Sequence, residues 1–228
     1  MFSIMANLNK INLADLKLIP NLLTLSRLIL TPIIAYFLWK GDGQGILICA
    51  ILLTVAGITD FLDGFFARRL NQITPLGKVL DPLVDKIFTI VIIVELILFR
   101  DFPFWLALMI IGRDLLIVIL GTLLLRGRKV DLQSNITGKY YFGATAILLG
   151  CYVINFEFGQ LLFTIITLAL WALSSFFYGK RFFDIKADHI SEGFKDRRSY
   201  KLIRIAITLI ISVIFLYRFY FDLITNWL

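Results

Sequence analysis

Four aspartates, Asp60, Asp63, Asp81 and Asp85, fall where long apolar segments meet, and their spacing suits joint chemistry. In a helix, Asp60 and Asp63 are an i,i+3 pair and Asp81 and Asp85 an i,i+4 pair, so each pair projects from one face. Between them, Asn71, Gln72, Thr74 and Pro75 give the turn composition that reverses a chain. Two antiparallel helices then aim four carboxylates at one point. Oxygen donors alone suit hard cations such as Mg²⁺ or Mn²⁺, and no His or Cys lies near enough in the chain to favour Zn²⁺. Clustered carboxylates repel one another; two divalent cations neutralise that charge and leave coordination positions for phosphate oxygens.

The competing reading is a solvated face beside the membrane, which would serve for either pair alone. An ionised Asp within a bilayer costs on the order of 3 kcal/mol on insertion scales, and such residues are usually functional. Four of them together favour a site. Around them, Gly64 and Gly77 lack side chains and let backbone or ligand approach closely. Ala67 keeps the same face shallow, and Arg68 supplies a permanent forked cation suited to phosphate.

The elements that must position these residues are membrane helices. The 228 residues are 59% hydrophobic and 14% aromatic, with mean hydropathy +0.87, so the apolar runs are too long and numerous for a soluble core. Runs at roughly residues 20–39, 45–59, 79–99, 102–125, 140–156, 160–178 and 202–223 give seven candidate helices. No period-2 alternation runs through them, and lipid demands internally satisfied backbone, so a helical bundle is expected over a barrel. Residues 1–19 mix Leu8, Ile11, Leu16 and Leu18 with Asn7, Lys10, Asp15 and Lys17 and suggest an interfacial amphipathic segment. No signal peptide is read there, because the first strong apolar run starts late. The domain plan is this segment, a catalytic membrane domain over 20–178, a basic linker over 179–201 and a further membrane helix within 202–228.

The net charge of +7 does not indicate nucleic acid, since Lys and Arg fall in loops that one side of the membrane can collect. An N-terminus in the cytoplasm puts Lys10, Lys17, Arg68, Arg69, Lys78, Arg126, Arg128, Lys129, Lys139 and the Lys180 to Arg204 cluster inside, leaving mainly Lys40 and Arg100 outside. Trp39, Trp105 and Trp227 then fall at outer helix ends. In that topology the aspartates face the cytoplasm of a cell membrane. Cys49 and Cys151 lie inside spans as small hydrophobes. The sole histidine, His189, lies in the charged linker and builds no metal cluster or triad. Glu95, in the outer half of its helix, is read either as a buried partner or as a snorkelling side chain.

Written out, the motif is D-x2-D-G-x2-A-R-x8-G-x3-D-x3-D, a combination expected by chance with a probability of order 10⁻⁸ in such a chain. It resembles the signature of the CDP-alcohol phosphotransferase family, with every fixed position filled. The resemblance implies six membrane helices around a cavity open to the cytoplasm, a homodimer, and transfer of a phospho-alcohol group from a CDP-linked donor with release of CMP. It implies that Asp60, Asp63, Asp81 and Asp85 ligate two divalent cations, Mg²⁺ or Mn²⁺, that Asp85 is also the general base, and that Gly64, Ala67, Arg68 and Gly77 accommodate the CDP.

The likeness extends to bacterial phosphatidylglycerophosphate synthases, through Ile19-Pro20-Asn21-Leu22-Leu23-Thr24-Leu25-Ser26-Arg27, Asp81-Pro82 and Asp85-Lys86. Asn21, Thr24 and Arg27, three residues apart on one helical face, are read either as nucleotide contacts or as an ordinary interfacial helix start. Arg113, costly in mid-span, and Lys139 resemble residues that bind the acceptor's phosphate, here glycerol 3-phosphate; Lys139 also fits an inside-loop charge. The expected activity joins CDP-diacylglycerol to glycerol 3-phosphate, with anionic lipids meeting the basic linker. Alternatives are a cardiolipin synthase and enzymes of the serine, inositol phosphate or CDP-amino-alcohol type; more remotely, a divalent-cation transporter. Three departures from the pattern concern the acceptor and the tail: Asp114 in place of Glu, Lys139-Tyr140-Tyr141-Phe142 in place of Lys-x-Thr-Thr, and the seventh apolar run.

Overall fold

The computed structural model describes residues 13–124, 136–186 and 198–227. A short 3₁₀ turn, Leu13–Lys17, leads into α1 (Ile19–Lys40), α2 (Gly43–Arg69), α3 (Gly77–Phe99), α4 (Phe104–Leu124), α5 (Ile136–Val153), α6 (Glu157–Lys186) and α7 (Arg198–Trp227). Each expected apolar run has its helix, and the described residues contain no strand. Residues 1–12 of the expected interfacial segment and residues 187–197 of the basic linker, His189 among them, lie outside the described residues. The linker was expected from residue 179, yet α6 continues to Lys186. Lys180, Arg181, Phe182 and Phe183 offer no proline stop, and a propagating helix gains one hydrogen bond per residue fixed.

The chain sorts into two compact units. One comprises Met1–Lys129 with Tyr152–Ile154; the other comprises Val130–Cys151 with Asn155–Leu228. In the first, α1 packs against both α2 and α3, burying Ile34, Leu38, Val84, Ile92, Ile93 and Leu96. The α1–α2 joint is nearly as short as a helical hairpin permits. Gly41 closes α1 at φ 67°, a left-handed conformation that a Cβ would penalise. Asp42 then starts α2, its carboxylate accepting from the Gly45 N–H at 2.7 Å, which satisfies one of the donors a helix start leaves open.

At the far end of α2 the chain reverses around Asn71, at φ 55°, with the Gln72 N–H donating to the Ala67 carbonyl at 3.0 Å. Asparagine is among the few side chains that tolerate this conformation. Thr74 Oγ1 accepts from the Gly77 N–H at 3.0 Å and begins α3. Both halves of the aspartate motif are therefore helical, as their spacing required.

In the second unit, Phe215 of α7 meets Phe163 of α6 edge-on at 5.3 Å, and Phe215 and Phe219 both meet Phe156. Large apolar side chains cover the exterior of the described helices, including Ile29, Leu47, Leu98, Leu161 and Leu216. So much exposed apolar surface suits lipid rather than water. The stretches Ile19–Lys40, Gly43–Arg69, Glu157–Lys180 and Lys201–Asp222 are long and apolar enough to cross a bilayer. The protein is an all-α, multi-pass membrane protein. Glu95 is buried rather than snorkelling, at 7% exposure, and its Oε2 has no hydrogen-bond partner among the described residues.

Candidate active site

Three helices of the first unit build the site, and α1 supplies its floor. Residues three apart on a helix share a face, and Asn21, Thr24 and Arg27 are all buried there. Their neighbours Leu22 and Ile29 point outward, so the polar stripe turns inward while the apolar side meets lipid. The Asn21 Nδ2 donates to the Asp15 carbonyl at 2.7 Å, tying the 3₁₀ turn to the start of α1.

Arg27 reaches into the carboxylates. One guanidinium nitrogen donates to Asp63 Oδ2 at 2.7 Å, while the other donates to Asp60 and lies 2.6 Å from Asp85 Oδ1. The Arg27 side chain is only 4% exposed, against 41% for Asp60, so the cluster opens on the Asp60 side and closes beneath. The fourth aspartate is joined through Thr24, whose hydroxyl lies 2.9 Å from Asp81 Oδ1, 3.1 Å from Asp63 Oδ2 and 3.1 Å from the Pro20 carbonyl. A hydroxyl carries one proton. Three acceptors around it leave at least one of the two carboxylate oxygens without that proton.

The small residues have definite neighbours. A Cβ on Gly77 would come within 2.8 Å of Asn21 Oδ1, and one on Gly64 would sit 3.6 Å from the Arg68 guanidinium. Gly77 therefore lets α3 approach α1, whereas a methyl at Gly64 would only touch Arg68, which is exposed beside it. Ala67 is half-buried and adds only a methyl.

A second charged group lies between α3 and α4. Lys86 pairs with Asp114, which also accepts from Arg113 at 2.9 Å. Arg113 and Asp114 are largely shielded, at 11% and 19% side-chain exposure. Lys139 belongs to the other unit, in α5, where it is exposed.

A sequence profile described as CDP-alcohol phosphatidyltransferase matches residues 17–177, which spans α1 to α5 and most of α6. The chain belongs to the CDP-alcohol phosphatidyltransferase family. Among curated relatives it is 42% identical over 125 residues to a CDP-diacylglycerol–glycerol-3-phosphate 3-phosphatidyltransferase of Aquifex aeolicus, covering 54% of this chain and 67% of the relative. It is 35% identical over 166 residues to the protein of the same name in Bacillus subtilis, covering 67% and 86% respectively. A cardiolipin synthase (CMP-forming) of Streptomyces coelicolor is 34% identical over 131 residues, covering 53% and 58%.

As a CDP-alcohol phosphatidyltransferase, the chain is a transferase of phospholipid synthesis, and its donor set can be tested against a divalent cation. The side chains are all-oxygen, as hard cations require. Against four carboxylates stands one guanidinium in contact, leaving three negative charges if all ionise. The Thr24 hydroxyl cannot serve both carboxylates it faces. Both observations fit a site that takes positive charge. Among the described residues, however, no three acidic, His or Cys side chains converge as a ready cation site, and Arg27 lies against Asp60, Asp63 and Asp85.

Arg27, read either as a nucleotide contact or as part of an ordinary helix start, engages the carboxylates in the structure. The spacing from Thr24 could have raised this possibility, since a residue one turn from a buried hydroxyl shares its surroundings. Lys86 was not singled out by itself. Its signal was available in two opposite charges, Lys86 and Asp114, on adjacent apolar segments, where pairing offsets the cost of each.

Proposed function

We propose that this protein transfers the phosphatidyl group of CDP-diacylglycerol to glycerol 3-phosphate, giving phosphatidylglycerophosphate and CMP. The observation that carries the reading is the match across 86% of the Bacillus subtilis relative, whose name states this donor and acceptor. The Lys86 and Arg113 donors gathered at Asp114 support an acceptor bearing phosphate.

In this reading Asp85 accepts the proton of the acceptor hydroxyl. The freed oxygen attacks the phosphorus that carries the diacylglycerol, the bond from that phosphorus to CMP breaks, and the lipid phosphodiester forms. Arg68 meets the donor's phosphates above Gly64, and Asn21 and Gly77, packed against each other, border the nucleotide. Arg113 holds the acceptor's phosphate. Two divalent cations, Mg²⁺ or Mn²⁺, held by Asp60, Asp63, Asp81 and Asp85, supply neutralisation of phosphate charge. Positioning and electrostatics provide the rest of the rate.

The loop charges support a site on the cytoplasmic face of a cell membrane, where CMP can leave and glycerol 3-phosphate arrive. The basic linker meets anionic headgroups, and the chain works as a homodimer. A second reading, a cardiolipin synthase that uses phosphatidylglycerol as acceptor, is favoured by the relatives of that name. Purified protein incubated with CDP-diacylglycerol and a panel of acceptors, with the product lipid weighed by mass spectrometry, separates them. Release of CMP with phosphatidylglycerol but never with glycerol 3-phosphate would overturn the first reading.

A further inference from the structure

Three charged side chains meet between α3 and α4, beside the aspartate motif. Asp114 offers a different oxygen to each neighbour: its Oδ1 accepts from the Arg113 guanidinium at 2.9 Å, and its Oδ2 accepts from the Lys86 ammonium. The Asp114 side chain is 19% exposed and that of Arg113 11%, whereas Lys86 keeps 44%. Lys86 directly follows Asp85 in α3, so the group borders the proposed base.

An ammonium carries three N–H donors and a guanidinium five. Asp114 takes one from each, so it orders both cations without itself using up either. Without the carboxylate the two would behave differently. Like charges on neighbouring helices repel, and a lysine on its flexible four-carbon stem turns its ammonium toward water. A carboxylate bonded to both opposes both tendencies.

We infer that Asp114 is a positioning residue of the acceptor subsite: it holds Lys86 of α3 beside Arg113 of α4, so that the acceptor's phosphate meets two cations already set in place. The inference rests on the reading of glycerol 3-phosphate as acceptor. Asp114 touches neither substrate and acts through its two partners. Its negative charge opposes an arriving phosphate, but that charge is already bonded to both cations, and the rotamer freedom of Lys86 is given up on folding rather than on binding. A terminal phosphate with two negative charges gains more from such paired cations than the singly charged phosphodiester of phosphatidylglycerol. Asp114 thereby favours the smaller, phosphorylated acceptor.

The test is steady-state turnover of the full-length protein in detergent with CDP-diacylglycerol, for wild type, Asp114→Asn, Asp114→Glu, Lys86→Gln and the double variant Lys86→Gln with Asp114→Asn. Asp114→Asn keeps the shape and loses the charge. It should raise the KM for glycerol 3-phosphate about tenfold, with kcat and the KM for CDP-diacylglycerol little changed. Asp114→Glu still offers one oxygen to each cation and should recover most of the loss. In the Lys86→Gln background, Asp114→Asn should raise that KM by a smaller factor than in wild type, because part of the coupling is already gone. A residue that only supported the fold would lower kcat or the melting temperature and leave this KM where it was. That outcome, or a KM that falls in Asp114→Asn, overturns the inference and leaves the acceptor standing. Wild type that makes no phosphatidylglycerophosphate from glycerol 3-phosphate overturns both. If Asp114→Asn does not fold, reductive methylation of wild type in the presence of CMP decides, with the modified lysines mapped by peptide mass. Glycerol 3-phosphate should protect Lys86 several-fold and glycerol should not; equal modification of Lys86 in both refutes its place in the subsite and with it the role of Asp114.

Discussion

Two groups of charge lie within the helices of the first unit, and they are built around opposite centres. Around Arg27, four carboxylates share one buried cation. Around Asp114, two cations, Lys86 and Arg113, share one carboxylate. The carboxylate-rich group suits cations and the Lys86 and Arg113 donors suit anions, and the chemistry proposed needs one of each. The two also differ in what lies beneath them. The carboxylate group rests on the buried Thr24 and Arg27 of α1, while Lys86 keeps 44% of its side chain exposed. The first is preorganised and the second adjustable, which suits a fixed chemical step and a varied acceptor.

The largest expected effect breaks the comparison on the carboxylate side. Stripping divalent cations with a chelator should abolish CMP release, and Mg²⁺ or Mn²⁺ should restore it. Asp85→Asn should fold and bind CDP-diacylglycerol yet lose roughly 10²- to 10⁴-fold in turnover, the range for a positioned general base. Near-normal turnover of that variant would remove Asp85 from the role of base.

The next effect lies on the cationic side and should appear in a different parameter. Arg113→Gln removes a charged donor, and hydrogen bonds to charged groups contribute about 1.5–3 kcal/mol. The KM for glycerol 3-phosphate should rise roughly 10- to 100-fold, with the KM for CDP-diacylglycerol little changed. A variant that raised both constants equally would show that the two groups do not divide donor from acceptor. Lys86→Gln should act in the same direction but less strongly, because its side chain is more exposed.

What was legible in the chain follows the same division. The carboxylate group could be read because its partners are local: i,i+3 and i,i+4 spacing and a turn between helices place four side chains without knowledge of any distant packing. The helices themselves were legible because lipid imposes one long apolar period. Arg27 was harder, since its partners are 33 and 36 residues away; the α1 register that delivers it depends on how α1 packs on α2 and α3. Lys86 needed the pairing of α3 with α4. The end of α6 was misplaced because charge composition suggested a linker, whereas charged residues with good helix propensity simply continue the last turns.

A smaller effect tests the packing that supports the carboxylates. Gly77→Ala would drive a methyl to 2.8 Å from Asn21 Oδ1, and overpacking of this kind costs about 1–3 kcal/mol. The melting temperature should fall, and Asn21→Ala in the same chain should recover part of the loss by vacating the space. A double variant no more stable than Gly77→Ala would place the constraint elsewhere than in the α1–α3 approach.

The smallest effect belongs at the opposite end of α2, away from both charged groups. The Lys40 ammonium and the Gly45 N–H hold the Asp42 carboxyl below its ordinary value of 3.8. Because the folded value is depressed, the stability this group adds is fully present above the unfolded value and is lost as pH falls through the folded one. Asp42→Ala should lower the melting temperature slightly at neutral pH, with no difference from wild type once the medium is acid enough to protonate Asp42 in the folded protein. Turnover at neutral pH should be unchanged, because this carboxylate caps a helix start while the proposed chemistry belongs to those at the other end of α2. A large loss of turnover in this variant would mean that the α1–α2 joint sets the register of Arg27 against Asp60 and Asp63, and the two ends of α2 could then no longer be treated as independent.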